Sequence, residues 1–431
     1  MSRVAVSDTP DTPGPPDPPD DAPGAVPDSL PDDVPEDVAA FAALLTPEGA
    51  TLLHALRDHD PADELAVVTR LRRTHPPSLV TAAVAQARLR QRAVAKFGAA
   101  DAARMYFTPN GLEQATRTAV AEHRAARFAA RGAGRVADLG CGVGGDALAL
   151  ARAGLSVRAV DRDPLTCAVA RANAAVLGLD GLIEVRCGDV AAADLTGCDA
   201  VFVDPARRGG RRGGRIFDPE AYSPPLSWAI DTARAAQHAA LKVAPGIPHD
   251  VVPEEAEAEW ISCAGDVKEA VLWFGGPAGG DGPRVRATLL PQGATLHGAG
   301  LPDPEPGPVG RYLYEPDGAV IRAHLVAEAA AAVGGRLIDP TIAYVTADAL
   351  TPTPFATAYE ITDVLPFHLK RLRALVRERR IGTLTVKKRG SAVEPEELRR
   401  KVKPRGPGSA TVFLTRVAGA PTMLLGRPAS A

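Results

Sequence analysis

Val136-Ala137-Asp138-Leu139-Gly140-Cys141-Gly142-Val143-Gly144-Gly145-Asp146 is a short apolar run ending on a carboxylate, followed by a glycine-dense turn and helix-forming Ala and Leu. Glycines let the backbone turn where other residues resist and let a ligand come close at a strand end. The stretch reads as strand, loop and helix, and the same alternation continues outward from it. Ser156 to Val160 is a short strand ending at Asp161, after which Asp163-Pro164 caps a helix running to about Leu177. Leu182 to Arg186 leads to Gly188-Asp189, Ala200 to Val203 leads to Asp204-Pro205, and Ala239 to Val243 leads to Pro245-Gly246. Extended runs at Glu269 to Phe274 and Arg284 to Leu290 extend the series. This pace predicts an α/β domain over 131–298, with an open, mostly parallel sheet and helices on both faces. Ligands of such sheets sit beyond the strand C-termini, where Gly140, Asp161, Asp189 and Asp204 all fall.

The flanks read differently. Residues 1–34 alternate Pro, Asp and Gly with almost no large apolar side chains, so they cannot offset the entropy of ordering and are expected to form a disordered acidic tail. A tail that competes with nucleic acid for a basic surface is the functional alternative. Over 35–130 the pattern is helical: Thr46-Pro47 and Thr108-Pro109 place a capping hydroxyl before a proline, and Phe41, Leu44, Leu45, Leu52, Leu53 and Leu56 recur at three and four. Met105 to Thr116 sets two aromatics ahead of a capped helix, either a core anchor or a lid over a ligand. After a Gly/Pro-rich stretch, 305–431 reads as a separate α+β domain. Its expected strands start at Leu337, Ile342, Ala358, Gly382 and Ala410, and its helices span 320–333 and 366–380.

Lys and Arg number 49 against 52 Asp and Glu, a net charge of -3 that excludes no partner. Its distribution says more, because acid gathers in the first fifth and base near the C-terminus. The five cysteines form no C-x-x-C pair, so neither zinc nor disulfides are indicated and a reducing cytosol is the natural setting. No leader or membrane-length apolar run is evident. The expectation is a cytoplasmic protein with no metal, no membrane and no obligate protein partner.

Spaced through Gly140, Gly142 and Gly145 the loop suits a dinucleotide; spaced through Asp138 and Gly144 it suits S-adenosylmethionine. Asp138 discriminates, since its charge can face a sulfonium and an amino group but would repel a pyrophosphate. Asp161, followed by Arg162, stands where an acceptor takes both ribose hydroxyls. Asp189 is placed to accept from an adenine amine or to cap a helix from Val190 onward. Asp204-Pro205-Ala206-Arg207 offers a carboxylate and a proline carbonyl as acceptors for an exocyclic amine. Five arginines between Arg207 and Arg215 add positive charge, or form a flexible surface loop. From Leu365 to Arg405 there are fourteen Lys and Arg against four Glu. Lys387, Lys388, Arg389, Arg399, Arg400, Lys401 and Lys403 are the candidate phosphate-backbone contacts. Few aromatics interleave, so no stacking platform is evident.

These residues resemble the class I S-adenosylmethionine-dependent methyltransferases over about 131 to 290. The whole chain resembles bacterial methyltransferases with a C-terminal THUMP-like domain, through Asp204-Pro-Ala-Arg, Lys242-Val-Ala-Pro-Gly and Lys387-Lys-Arg-Gly. The resemblance implies a Rossmann-like seven-stranded methyltransferase sheet, preceded by a small helical domain and followed by an α+β THUMP-like domain. It implies methyl transfer with RNA as substrate, since THUMP-type domains bind RNA. It also implies cofactor contacts from Phe107, Thr108, Asp138, Gly140, Gly142, Gly144, Asp161, Arg162, Asp189 and Val190, and catalytic roles for Asp204, Pro205 and Arg207. Phe107-Thr-Pro-Asn110 is similar to a segment that helps enclose the cofactor in RNA-cap guanine methyltransferases. Two departures stand out. Ala206 and Arg207 occupy positions where amine-directed enzymes carry a stacking aromatic. Asp204-Pro-Ala-Arg is also similar to the Asp-Pro-Pro-Arg of uridine carbon-5 methyltransferases, which would need a nucleophile such as Cys263. A degenerate RNA-binding protein and a small-molecule methyltransferase are the alternatives; Asp138 disfavours a nicotinamide enzyme.

Overall fold

The computed structural model describes residues 35–57, 59–206, 219–275 and 284–429. The acidic tail and the arginines from Arg207 to Arg215 lie outside the described residues. Contacts divide the chain into two compact units, between Ala87 and Arg88. The first is helical, with α1 (Glu36–Leu44), α2 (Pro47–Ala55), α3 (Glu64–Leu71) and the beginning of α4 (Pro77–Arg104). Thr46 caps α2 by accepting from the Gly49 N–H at 3.1 Å. Phe41, Leu44, Leu52, Leu53 and Leu56 are buried, as their spacing predicts. At Gly98 α4 leaves helical geometry, with φ at +76°.

The second unit adds α5 (Pro109–Gln114) and α6 (Thr118–Ala130) and then the alternating elements. These are β1 (Arg135–Leu139), α7 (Gly145–Arg152), β2 (Ser156–Asp161), α8 (Pro164–Val176), β3 (Ile183–Cys187), β4 (Ala200–Val203), α9 (Leu226–Ala235) and β5 (His238–Val243). They continue with β6 (Glu257–Cys263), β7 (Asp266–Phe274), β8 (Val285–Leu290) and β9 (Ala294–His297). Among the described residues these strands form one sheet in the order β3-β2-β1-β4-β5-β7-β6-β8-β9. Strands β1 to β5 are parallel and β7 runs antiparallel between β5 and β6. The seven runs expected from the sequence are β1 to β5, β7 and β8; β6, which was not expected, enters between β7 and β8, and β9 widens the sheet at its edge. Strand β1 is buried on both faces, as a central parallel strand between two helix layers must be.

A second sheet follows, from β10 (Tyr312–Pro316), β11 (Arg336–Asp339), β12 (Ile342–Ala347), β13 (Ala356–Pro366), β14 (Ile381–Lys388), β15 (Gly408–Val417) and β16 (Ala420–Pro428). Its order is β11-β12-β10-β13-β16-β15-β14, antiparallel except for β14 beside β15. Its helices are α10 (Gly318–Arg322), α11 (Val326–Ala332), α12 (Leu369–Glu378) and α13 (Pro395–Val402).

The single helix expected over 320–333 is two pieces, α10 and α11, turned at His324 with φ +57°. The turn lets the pair serve two cores. Ala319, Val320, Ala323, Leu325 and Ala329 are buried with Trp260, Leu272 and Leu289 of the first sheet. Ala330 and Val333 join Tyr314, Leu337 and Val345 of the second. The His324 ring stacks on His249 at 3.8 Å, and His249 stacks on Trp260 at 4.6 Å. No single helix among the described residues is long and apolar enough to cross a membrane.

Candidate active site

The glycine loop follows β1 and is shaped by two close approaches. Gly140 has φ +95°, and a side chain there would meet the Asp204 carbonyl oxygen at 2.6 Å. Only glycine lets the ends of β1 and β4 come so near. Gly142, at φ +55°, has open space where a Cβ would stand, and its N–H donates to Asp161 Oδ2 at 3.0 Å. The second Asp161 oxygen accepts from the Asp163 N–H at 3.0 Å. Gly144 caps α7, whose first turn carries Asp146.

The segment ahead of α5 lies against this loop. Asn173 of α8 is fully buried and links the two: its Oδ1 accepts from the Tyr106 N–H at 2.7 Å, and its Nδ2 donates to the carbonyls of Tyr106 at 3.0 Å and Val143 at 2.9 Å. Thr108 caps α5 by accepting from the Gly111 N–H at 2.9 Å. Phe107 is buried and packs against Phe97, the two rings tilted by 45° with centroids 5.3 Å apart. Its ring is a core anchor, and the segment it anchors borders the loop.

Behind the loop is a buried cluster of charges. Lys242 of β5 donates to Asp204 Oδ2 at 2.7 Å and to Thr116 Oγ1 at 3.1 Å, with Glu269 Oε2 at 3.9 Å. Arg124 of α6 donates to Asp146 and to Glu269, and its guanidinium lies 4.2 Å from the Phe202 ring. Burial opposes the charge on Lys242, yet Asp204, Glu269 and Asp146 outweigh it and hold its pKa above the ordinary value. Asp138 is fully buried, and neither of its oxygens has a hydrogen-bond partner among the described residues. Burial first, then the carboxylates of Asp146 and Asp204, push its pKa well above the ordinary carboxylate range, against Arg124.

Thus Asp138, Asp161, Asp204 and the glycines meet at the C-terminal rim of β1, β2 and β4. Pro205 follows Asp204 at the same rim, and the other candidates take up different positions. Asp189 is exposed and accepts from the Ala191 N–H at 2.9 Å, so its carboxylate caps the short turn that starts at Val190. Arg162 is exposed, Val190 half-buried and Pro205 buried; Arg207 lies outside the described residues. Cys263 ends β6, three strands from β4 and thus about 14 Å away at ordinary strand spacing, so it does not join this rim. Arg124, Asp146, Asn173, Glu269 and Thr116 were missed by sequence reasoning. The available signal was a charge inside apolar runs, at Lys242 in Ala239 to Val243 and at Glu269 before Phe274.

The basic C-terminal candidates are largely occupied. Lys387 donates to Glu315, Lys388 pairs with Glu394, Arg399 with Glu396 and Lys401 with Glu397. Arg389 lies 5.1 Å from the Tyr344 ring. Arg400 and Lys403 are exposed without an ion pair among the described residues.

An unpartnered buried carboxylate is costly alone and well matched to a bound positive charge or amine. With the open side of Gly142, it fits a sulfonium-bearing nucleoside better than a pyrophosphate. Among the described residues no group of three or more His, Cys, Asp or Glu could hold a metal ion.

Comparison with known proteins identifies the family. Residues 136–205 match a methyltransferase domain, 356–428 a THUMP domain-like family and 37–93 a domain of unknown function. An uncharacterised S-adenosylmethionine-dependent methyltransferase of Mycobacterium tuberculosis is 37% identical over 342 residues, 76% of this chain and 90% of the relative. A solved methyltransferase candidate from Porphyromonas gingivalis W83 shares the fold, with a TM-score of 0.67 at 21% identity, covering 86% of this chain and 100% of that one. The chain therefore belongs to the S-adenosylmethionine-dependent methyltransferases with a THUMP-like C-terminal domain, and S-adenosylmethionine is its cofactor.

Proposed function

We propose that the protein methylates an exocyclic amine of a nucleobase in RNA. The observation that carries the amine is the hold on Asp204. Lys242 occupies Oδ2 from the buried side, which leaves Oδ1 as an acceptor at the rim, and the half-buried carboxylate suits an N–H donor. The Pro205 carbonyl is a second acceptor in the same turn. Two acceptors that each take one amine hydrogen would direct the nitrogen lone pair toward the methyl group. When bound, the cofactor supplies that methyl group on a sulfonium. The chain contributes alignment and exclusion of water.

Asp138 would face the cofactor's positive charge, and Asp161 would use its remaining lone pairs for the ribose hydroxyls. Asp189 would have to share its capping oxygen with an adenine amine, beside Arg162 and Val190. Phe107 and Thr108 would hold the segment that closes the site, and Arg207 would guide the substrate. RNA is supported by the THUMP-like resemblance and by the basic C-terminal segment. A cytoplasmic setting is supported by five cysteines that are all free thiols.

The test is methyl incorporation from labelled cofactor into RNA from cells lacking the protein, with the modified nucleotide mapped. Incorporation at an exocyclic nitrogen that Asp204→Ala abolishes is the expected result. Incorporation only into small molecules, or at a carbon, would overturn it.

A further inference from the structure

The excess of base near the C-terminus divides into two kinds once its partners are known. Helix α13 has Glu396 and Glu397 in its first turn and Arg399, Arg400 and Lys401 in its last, the arrangement that the helix dipole favours. Two of those cations also pair with acids three and four residues back. Helix stability accounts for them.

Helix α12 is built the opposite way. It has no acid in its first turn, where Lys370 and Arg371 stand against the dipole, and Glu378 is its only acid against Lys370, Arg371, Arg373 and Arg377. Leu372 and Val376 face the core, and the four cations occupy the exposed arc opposite them. Lys370, Arg371 and Arg377 make no ion pair among the described residues. Nothing within the fold explains a row of like charges there.

The patch continues past the helix. Arg373 donates to the Lys401 carbonyl, and the Gly408 N–H donates to the Arg380 carbonyl, so the chain carrying Lys403 and Arg405 lies alongside α12. Just ahead of α12, Phe367 is 39% exposed, three residues before the first cation of the patch.

We infer that the solvent face of α12, with Lys403 and Arg405 beside it, is the surface on which RNA docks, and that Phe367 stacks an unpaired base. The inference rests on the RNA reading above and moves the contact away from Lys387, Lys388 and Lys401, whose ammonium groups already pair with Glu315, Glu394 and Glu397. Unpaired cations in a row match a phosphate backbone, and an exposed ring just ahead of them in the chain matches a base turned out of a stack.

The experiment uses the full chain and a fluorescein-labelled RNA hairpin with a single-stranded tail, titrated by anisotropy at several salt concentrations. Lys370→Gln, Arg371→Gln and Arg377→Gln combined should weaken binding about tenfold or more and flatten the slope of log affinity on log salt by about two to three. Phe367→Ala should weaken binding to the tailed hairpin and leave a blunt one unchanged. Lys388→Gln with Lys401→Gln should bind as wild type, and S-adenosylhomocysteine affinity should be the same in every variant, which reports intact folding. Wild-type binding that survives in the α12 variant, or is lost in the Lys388/Lys401 variant, overturns the surface and leaves the RNA reading standing. A DNA hairpin of the same sequence bound equally well would reduce the patch to a general polyanion surface and overturn the assignment to RNA. Absence of any RNA binding by the wild type would remove both.

Discussion

Lys242 Nζ stands 2.7 Å from Asp204 Oδ2, and both groups are joined through Glu269 and Arg124 to Asp146 in the first turn after the glycine loop. The carboxylate at the rim is thereby coupled to the loop by buried charges. Removing one member of such a set leaves the others uncompensated.

Lys242→Met should cost about 3 kcal/mol in urea unfolding and lower methyl transfer more than it lowers cofactor affinity. Adding Asp204→Asn should restore part of that stability, with an interaction of about 1 kcal/mol or more across the double-mutant cycle. Strict additivity would show that the two side chains do not act as a pair.

Asp138 makes stability and binding depend on pH with a definite sign. Its pKa is raised in the folded protein, by burial first and then by Asp146 and Asp204, so its contribution to stability is complete below the ordinary carboxylate value and lost as pH rises through the raised one. The ligand-free melting temperature should fall over that window, and Asp138→Asn should flatten the fall. Binding of the cationic cofactor should expel up to about one proton per site, detectable by calorimetry in buffers of different ionisation heat. Binding of neutral-sulfur S-adenosylhomocysteine should expel less. Equal proton release by the two ligands would contradict a role for Asp138 in facing the sulfonium.

Glu259 of β6 predicts the opposite trend. Burial alone would raise its pKa, but His123, Arg127 and Thr288 overcome that and hold it far below the usual range. Its contribution is therefore present above the ordinary value of 4.5 and is lost as pH falls below it toward the depressed value. Arg127→Met should destabilise by about 3 kcal/mol at neutral pH. The gap between variant and wild type should narrow in denaturant titrations carried below pH 4.5.

Asn173→Ala would strip partners from the Tyr106 N–H and from the carbonyls of Tyr106 and Val143. A loss of about 2 to 3 kcal/mol in stability follows from the buried groups left unpaired. A weaker grip on S-adenosylhomocysteine should accompany it, since this side chain hydrogen-bonds both to Tyr106 and to Val143 of the glycine loop. Unchanged ligand affinity in a destabilised variant would confine Asn173 to folding.

The glycine loop and the strand ends were legible because their signals are local: an apolar run, a carboxylate, a turn. Asp138, Asp161, Asp189 and Asp204 were all assigned to one rim from topology, which could not show that the Asp189 carboxylate would cap the turn at Val190. The charge cluster behind them could not, because Arg124 meets Glu269 across 145 residues and no local pattern announces the pairing. Strand β6 hid for a related reason. Its Glu257 and Glu259 stand in an acid-rich run without large apolar residues before Trp260, yet Arg127, Arg131 and Arg286 pair with them within the fold. Strand β16 begins beside Pro421 and contains Gly426, which weakens its local signal. At the C-terminus the excess of base was visible, but not that Lys387 would find Glu315, 72 residues earlier.

The helical pair α10–α11 belongs to two cores at once. Trimming the chain near residue 300 would not yield a minimal enzyme, because it would bare the oily seat that Ala319, Val320 and Leu325 now fill and invite precipitation.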